Sequence, residues 1–144
     1  MTDFGFSETY DPEWVVEGVI ARAQRPGYPV NRPSPQRVEE WAAAVLELGI
    51  RSVLCIVDSP QLGYYEEIGL QGGGLLPYYR SLGLAVEHIP AEDYKTQALS
   101  PDELRRVWDA FERLEKPLLV HCSAGRDRTG AALEHILSRR QSIG

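Results

Sequence analysis

The sequence predicts one small α/β domain, a mainly parallel central sheet flanked by helices. Three observations predict it. Short runs rich in β-branched and other apolar residues alternate with stretches whose apolar positions recur every three or four residues, the pattern of βαβ crossovers. Proline and glycine punctuate the joins between these stretches. The length of 144 residues, 43% of them hydrophobic, suits one core of ordinary size, so residues 1–144 are expected to form a single domain.

Taken in order, Val15–Ala23 (VVEGVIARA) reads as an early strand interrupted only by Gly18. From Pro26 to Pro35, with Pro29 and Pro33 between, the chain must be loop, because proline lacks the N–H that ladders need. Ser34 then offers a helix cap with Pro35 at the first helical position. Val38, Trp41, Ala42, Val45 and Leu48 make one apolar face before Gly49 stops the helix. Ile50–Val57 (IRSVLCIV) reads as a buried strand. Asp58–Gly74 reads as loop, and its closing Gly72-Gly73-Gly74 argues for mobility. Leu75–Leu82 is a short helix stopped by Gly83, and Leu84–Ile89 (LAVEHI) another strand. Ser100-Pro101-Asp102-Glu103 has capping-box spacing, and Leu104, Val107, Trp108, Phe111 and Leu114 follow on one helix face. Leu118–Val120 is the last strand, and Ala131, Leu133, Ile136 and Leu137 begin a final helical pattern. Parallel sheets bind ligands beyond the carboxyl ends of their strands, which directs attention to the residues after Val57, Ile89 and Val120.

Composition excludes several classes of function. A net charge of −6 argues against nucleic acid or an anionic membrane as an electrostatic partner. No apolar run reaches the roughly 18 residues of a membrane span, and Met1-Thr2-Asp3-Phe4 lacks the basic start of a signal peptide, so the expected location is the cytoplasm. Cys55 and Cys122 are too few for a disulfide scaffold, and no spacing of Cys or His offers a zinc cage; neither metal nor cofactor is expected.

After the last strand the chain reads HCSAGRDRTG, His121 to Gly130. A loop between a strand and a helix N-terminus turns backbone N–H groups inward and places an anion on the positive end of the helix dipole. Gly125 permits the conformation such a turn needs. Arg128 supplies a planar fork able to bind two phosphate oxygens. A thiol at a helix N-terminus among cations ionises at roughly pH 3.5–7.5, which would make Cys122 a nucleophile able to attack phosphorus.

This run resembles the signature of the cysteine-dependent phosphatases, the superfamily of protein tyrosine and dual-specificity phosphatases. Six fixed residue types coinciding by chance is on the order of one in 10⁸ per position. The resemblance implies a protein tyrosine phosphatase-like fold. It implies a phosphomonoester hydrolase of the short, atypical dual-specificity type working through a phosphocysteine intermediate. It further implies a cradle of Ser123, Ala124, Gly125, Arg126, Asp127 and Arg128 around the phosphate. His121 would order the loop and tune the thiol, and Thr129 would donate its hydroxyl to the departing sulfur. Breaking a phosphate ester also needs a proton for the leaving oxygen. The family places an Asp on a loop about thirty residues before the Cys, and Asp93, 29 residues before Cys122, is the candidate, with Glu92 its competitor. The expected partner is a phosphorylated protein or a small phosphorylated molecule.

Other readings stay open. CxxxxDRT also resembles the loops of phosphoinositide phosphatases, in which Asp127 would share or take over proton transfer; the blander reading has it orient Arg126 or a water. A phosphate-reading module with little turnover and a sulfurtransferase are further alternatives. Cys55, mid-strand among Leu54, Ile56 and Val57, reads as a buried structural thiol, with a resolving partner for oxidised Cys122 as its rival. His88 and His135 read as surface residues of strand and helix. Tyr64, Tyr65, Tyr78 and Tyr79 are candidates for the walls of a substrate cleft, or plain packing.

Overall fold

Ser34 and Ser100 cap two thirteen-residue helices, α1 (Pro35–Glu47) and α4 (Pro101–Arg113). Ser34 Oγ accepts from the Arg37 N–H at 3.2 Å. Ser100 closes a full capping box: its Oγ accepts from the Glu103 N–H at 3.1 Å, and Glu103 Oε1 accepts from the Ser100 N–H at 2.9 Å. Each helix thereby satisfies end donors that would otherwise be orphaned. The computed structural model describes residues 11–92 and 97–143. Between and around these helices lie β1 (Glu13–Val16), β2 (Ile20–Ala23), β3 (Ser52–Cys55), α2 (Ser59–Tyr64), α3 (Leu75–Ser81), β4 (Ala85–His88), β5 (Leu118–His121) and α5 (Asp127–Ile143).

The strands form one sheet in the order β1-β2-β5-β3-β4. The pairs β2–β5, β5–β3 and β3–β4 are parallel, and only the edge strand β1 runs antiparallel. The mainly parallel α/β architecture expected from the sequence is therefore the observed one. Register aligns the carboxyl ends of four strands in a row, Ala23 beside His121, His121 beside Cys55, and Cys55 beside His88. The central strand β5 is buried along its whole length. One face of the sheet packs against α1, α3 and Tyr65 through Val38, Trp41, Val45 and Tyr79. The other packs against α4 and α5 through Val107, Trp108, Phe111, Leu133 and Ile136.

Three sequence expectations need correction. Val15–Ala23 is not one strand but an antiparallel hairpin, because Gly18 at φ 76° reverses the chain and the Val19 N–H closes on the Val16 carbonyl at 2.9 Å. Valines on both sides of the glycine disguise that turn in the sequence. Asp58–Gly74 is not all loop: Asp58 Oδ1 accepts from the Gln61 N–H at 2.9 Å and caps α2, which runs into a 3₁₀ turn at Tyr65–Glu67. Within its glycine run, the Gly73 N–H closes a turn on the Leu70 carbonyl at 3.0 Å, with Gly72 and Gly73 at φ 90° and 89°. Of Ile50–Val57, only Ser52–Cys55 joins the sheet, although Ile50, Ile56 and Val57 are also buried. Among the described residues, no helix is long and apolar enough to cross a membrane.

Candidate active site

Strand β5 delivers Cys122 to the carboxyl edge of the sheet, and the chain then winds through Ser123–Arg126 into the first turn of α5. This is where a parallel sheet gathers ligands, and where the amides of a seventeen-residue helix point outward without intrahelical partners. A cavity of about 110 Å³ opens there, lined by Cys122, Ser123, Ala124, Arg126, Asp127, Arg128, Tyr28 and Gln61. Six of the residues expected from the motif therefore wall one small hollow. Cys122 and Arg128 are both 2% exposed, so each reaches the hollow from a buried position.

Gly125 explains why the loop keeps its shape. Its φ of 78° lies in the left-handed region, and a Cβ at this position would come within 2.6–2.9 Å of the Ala23 carbonyl and Gln24 nitrogen. Only glycine fits so close to the end of β2. That strand end grips the loop in return: Arg22 Nη2 donates to the Gly125 carbonyl at 2.7 Å, and the Arg25 N–H donates to the Ser123 carbonyl at 2.8 Å. Arg128 Nη1 donates to the Ala91 carbonyl at 2.7 Å, tying the start of α5 to the loop after β4. Thr129 is fully buried, and its hydroxyl finds no hydrogen-bond partner among the described residues.

His121 sits behind the loop rather than in the hollow. It is fully buried, and burial holds its ring down to a pKa of about 4, the bond to Cys122 opposing this only in part. The ring is therefore neutral at pH 7. Its Nδ1 lies 3.0 Å from the Cys122 carbonyl oxygen and its Nε2 lies 2.8 Å from the Tyr79 hydroxyl. A carbonyl only accepts, so the single ring proton is on Nδ1, and Tyr79 donates to Nε2. Cys55, by contrast, is fully enclosed on β3, where burial pushes its thiol up to about 12. That agrees with an inert structural thiol.

Residues 80–139 match the tyrosine phosphatase family. The matched segment covers β4, the loop after it, α4, β5, the phosphate loop and most of α5. It bears out the resemblance carried by HCSAGRDRTG. No curated protein matches the chain.

Two wall residues, Tyr28 and Gln61, lie outside the matched segment and escape sequence reasoning. Gln61 is in α2, directly after β3, where the strand-end rule points but no motif marks it. Ser123 Oγ donates to its Oε1, which anchors the cavity floor to α2. Tyr28 comes from the proline-rich loop, with the Arg25 guanidinium 5.4 Å from its ring centre. The four tyrosines expected as cleft walls do other work. Tyr65 and Tyr79 are fully buried, Tyr78 nearly so, and Tyr64 lies under Arg32, which also pairs with Glu67. His88 is half-buried, its Nε2 2.7 Å from the Val57 carbonyl oxygen. Asp93 lies outside the described residues; Glu92, just before it, is exposed. A larger cavity of about 450 Å³ between α4 and α5, lined by Leu104, Trp108, Asp109, His135 and Arg139 among others, shares no lining residue with the hollow at the phosphate loop.

Proposed function

We propose that this chain is a phosphomonoester hydrolase that works through a phosphocysteine intermediate, with phosphotyrosine or dual-specificity protein substrates. The carrying observation is that Cys122 and Arg128 line the same small hollow at the N-terminus of α5. In this reading the loop amides and Arg128 hold the three non-bridging oxygens, and Cys122 attacks phosphorus as the ester oxygen leaves. Charge developing in that step meets fixed dipoles rather than water, which is where such loops gain rate. Asp93 is the proposed donor of the proton to the leaving oxygen. The buried hydroxyl of Thr129 is available to stabilise the sulfur when water later displaces it. Residues 1–144 then act as one catalytic domain, without metal or cofactor, in the cytoplasm.

Asp127 in the cavity wall favours one second reading, phosphoinositide or inositol-phosphate hydrolysis with Asp127 sharing proton transfer. The test is hydrolysis of phosphotyrosine, phosphoserine and phosphoinositide substrates by the wild type, with Cys122→Ser beside it. Phosphotyrosine should be preferred, and the variant should be inactive while still binding inorganic phosphate. Turnover surviving in Cys122→Ser at near the wild-type rate would remove the nucleophile assignment.

A further inference from the structure

The hydrogen bonds behind the loop run through His121 to Tyr79, a residue that the catalytic reading leaves unused. Tyr79 comes from α3, on the far side of the sheet from α5, and is fully buried. Its ring stacks on Trp41 at 5.6 Å between centres, and Trp41 also meets the His121 ring edge-on at 5.5 Å. Trp41 is itself fixed, donating Nε1–H to the Gln24 carbonyl at 2.9 Å. The result is an aromatic box from α1, α3 and β5 with one polar path through it: Tyr79 hydroxyl to His121 Nε2, and His121 Nδ1–H to the Cys122 carbonyl.

The path ends at the first peptide of the loop. The bond between Cys122 and Ser123 is trans, and a planar trans peptide points its carbonyl and its N–H in opposite directions. A carbonyl held back against His121 thus turns the Ser123 N–H away from the core and keeps the negative end of this dipole off the hollow. We propose that Tyr79 is a positioning residue for the phosphate loop, holding the His121 ring in place and through it the orientation of the Cys122–Ser123 peptide. This rests on reading the loop as a phosphate site.

The surroundings keep both partners in the required forms. Arg25 from the loop after β2, Arg128 from α5 and His88 from β4 all oppose protonation of His121. Burial, with Cys55, Tyr65 and Tyr78 nearby, holds the Tyr79 phenol well above its ordinary range, so it remains a donor at every working pH. Removing the Tyr79 hydroxyl leaves the buried Nε2 without its donor, and the ring then keeps only one of the two bonds that hold it against the Cys122 carbonyl.

The test is the pH profile of Cys122 alkylation by iodoacetamide in the full chain, with the modified residue located by mass spectrometry. Tyr79→Phe, which keeps the ring, should move the midpoint upward by about one pH unit. Trp41→Phe, which keeps the hydroxyl, should leave it in place. A Tyr79→Phe profile that coincides with the wild type, or a Trp41→Phe shift of equal size, would overturn the proposal in favour of plain packing. Independently of any variant, ¹⁵N shifts of His121 in the wild type should report a proton on Nδ1, and a proton on Nε2 would refute the chain directly. The readouts separate the two claims. A shifted profile in a protein without phosphatase turnover sinks only the enzymatic reading, and an active enzyme with an unshifted profile sinks only the role of Tyr79.

Discussion

Acid should weaken this fold through His121, and the size of the effect follows from its burial. The ring is held to a pKa of about 4 in the folded chain, against an ordinary value of 6.5. Between those two values the unfolded chain takes up a proton that the folded chain refuses, so stability is full above pH 6.5 and declines as pH falls toward 4. Each pH unit in that window is worth up to about 1.4 kcal/mol. From pH 7 to pH 4.5 the loss amounts to about 2.5 kcal/mol, a large share of the roughly 5–15 kcal/mol that holds a domain together. Carboxylates titrate in the same range, so the measurement is a difference: urea unfolding of wild type and His121→Asn at both pH values. The variant starts less stable at pH 7, because it loses packing and the bond to Tyr79, but its stability should fall less on acidification, by about 2.5 kcal/mol. Equal losses in the two proteins would show that His121 does not resist protonation, and the neutral tautomer argued above would fall with it.

Replacing Arg128 with Lys keeps the charge but not the two-pronged geometry; two charge-assisted bonds at about 1.5–3 kcal/mol each predict a loss of at least about a hundredfold in kcat/KM on an aryl phosphate. A rate within threefold of wild type would show that Arg128 does not clamp the phosphoryl group. Gly125→Ala forces a side chain into the left-handed region and against the Ala23 and Gln24 backbone, so a cost of at least about 2 kcal/mol is expected, several degrees in a thermal melt, together with loss of phosphate binding. Asp93→Asn should slow phosphotyrosine hydrolysis by about 10²–10⁴-fold and remove the fall in rate as pH rises through the acid's pKa, while sparing an activated aryl phosphate that leaves without a proton. If Asp127→Asn carries that leaving-group-dependent loss instead, Asp127 is the acid.

The sequence and the structure agree where local chemistry is self-sufficient. Ser34-Pro35 and Ser100-Pro101 each carry a complete start signal, and both helices begin there. The phosphate loop is likewise legible, because backbone geometry, a thiol and a guanidinium must follow one another at fixed spacing to make an anion site. What the sequence hides depends on distant partners. Gly18 looks like a flaw in a strand until the return strand β2 is seen beside β1. Tyr28 and Gln61 join the site from the proline-rich loop and from α2, and no local pattern distinguishes Tyr28 from the buried Tyr65 and Tyr79. The roles of Tyr79 and Trp41 arise only when α1, α3 and β5 meet.

That meeting explains how an acidic protein sustains a cationic hollow. Arg25 and Arg128 are each 2% exposed, and burying a guanidinium costs several kcal/mol unless its donors are satisfied. Arg25 answers part of that requirement with neutral oxygens: Nη1 donates to the Val30 carbonyl at 2.8 Å and to the Tyr65 hydroxyl at 3.1 Å, while its buried Nε has no partner among the described residues. Tyr65 in turn donates to the Pro26 carbonyl at 2.5 Å. Carbonyl and phenol dipoles solvate the charge without cancelling it, as a carboxylate would, so its field persists behind the loop. Arg128, equally buried, places Nη1 on the neutral Ala91 carbonyl at 2.7 Å. The same bond joins the residue that would clamp phosphate to the loop leading toward Glu92 and Asp93. An anion drawn to Arg128 is thereby drawn to the foot of the loop after β4, so with Asp93 as the acid the Asp93→Asn and Arg128→Lys losses should be coupled rather than additive.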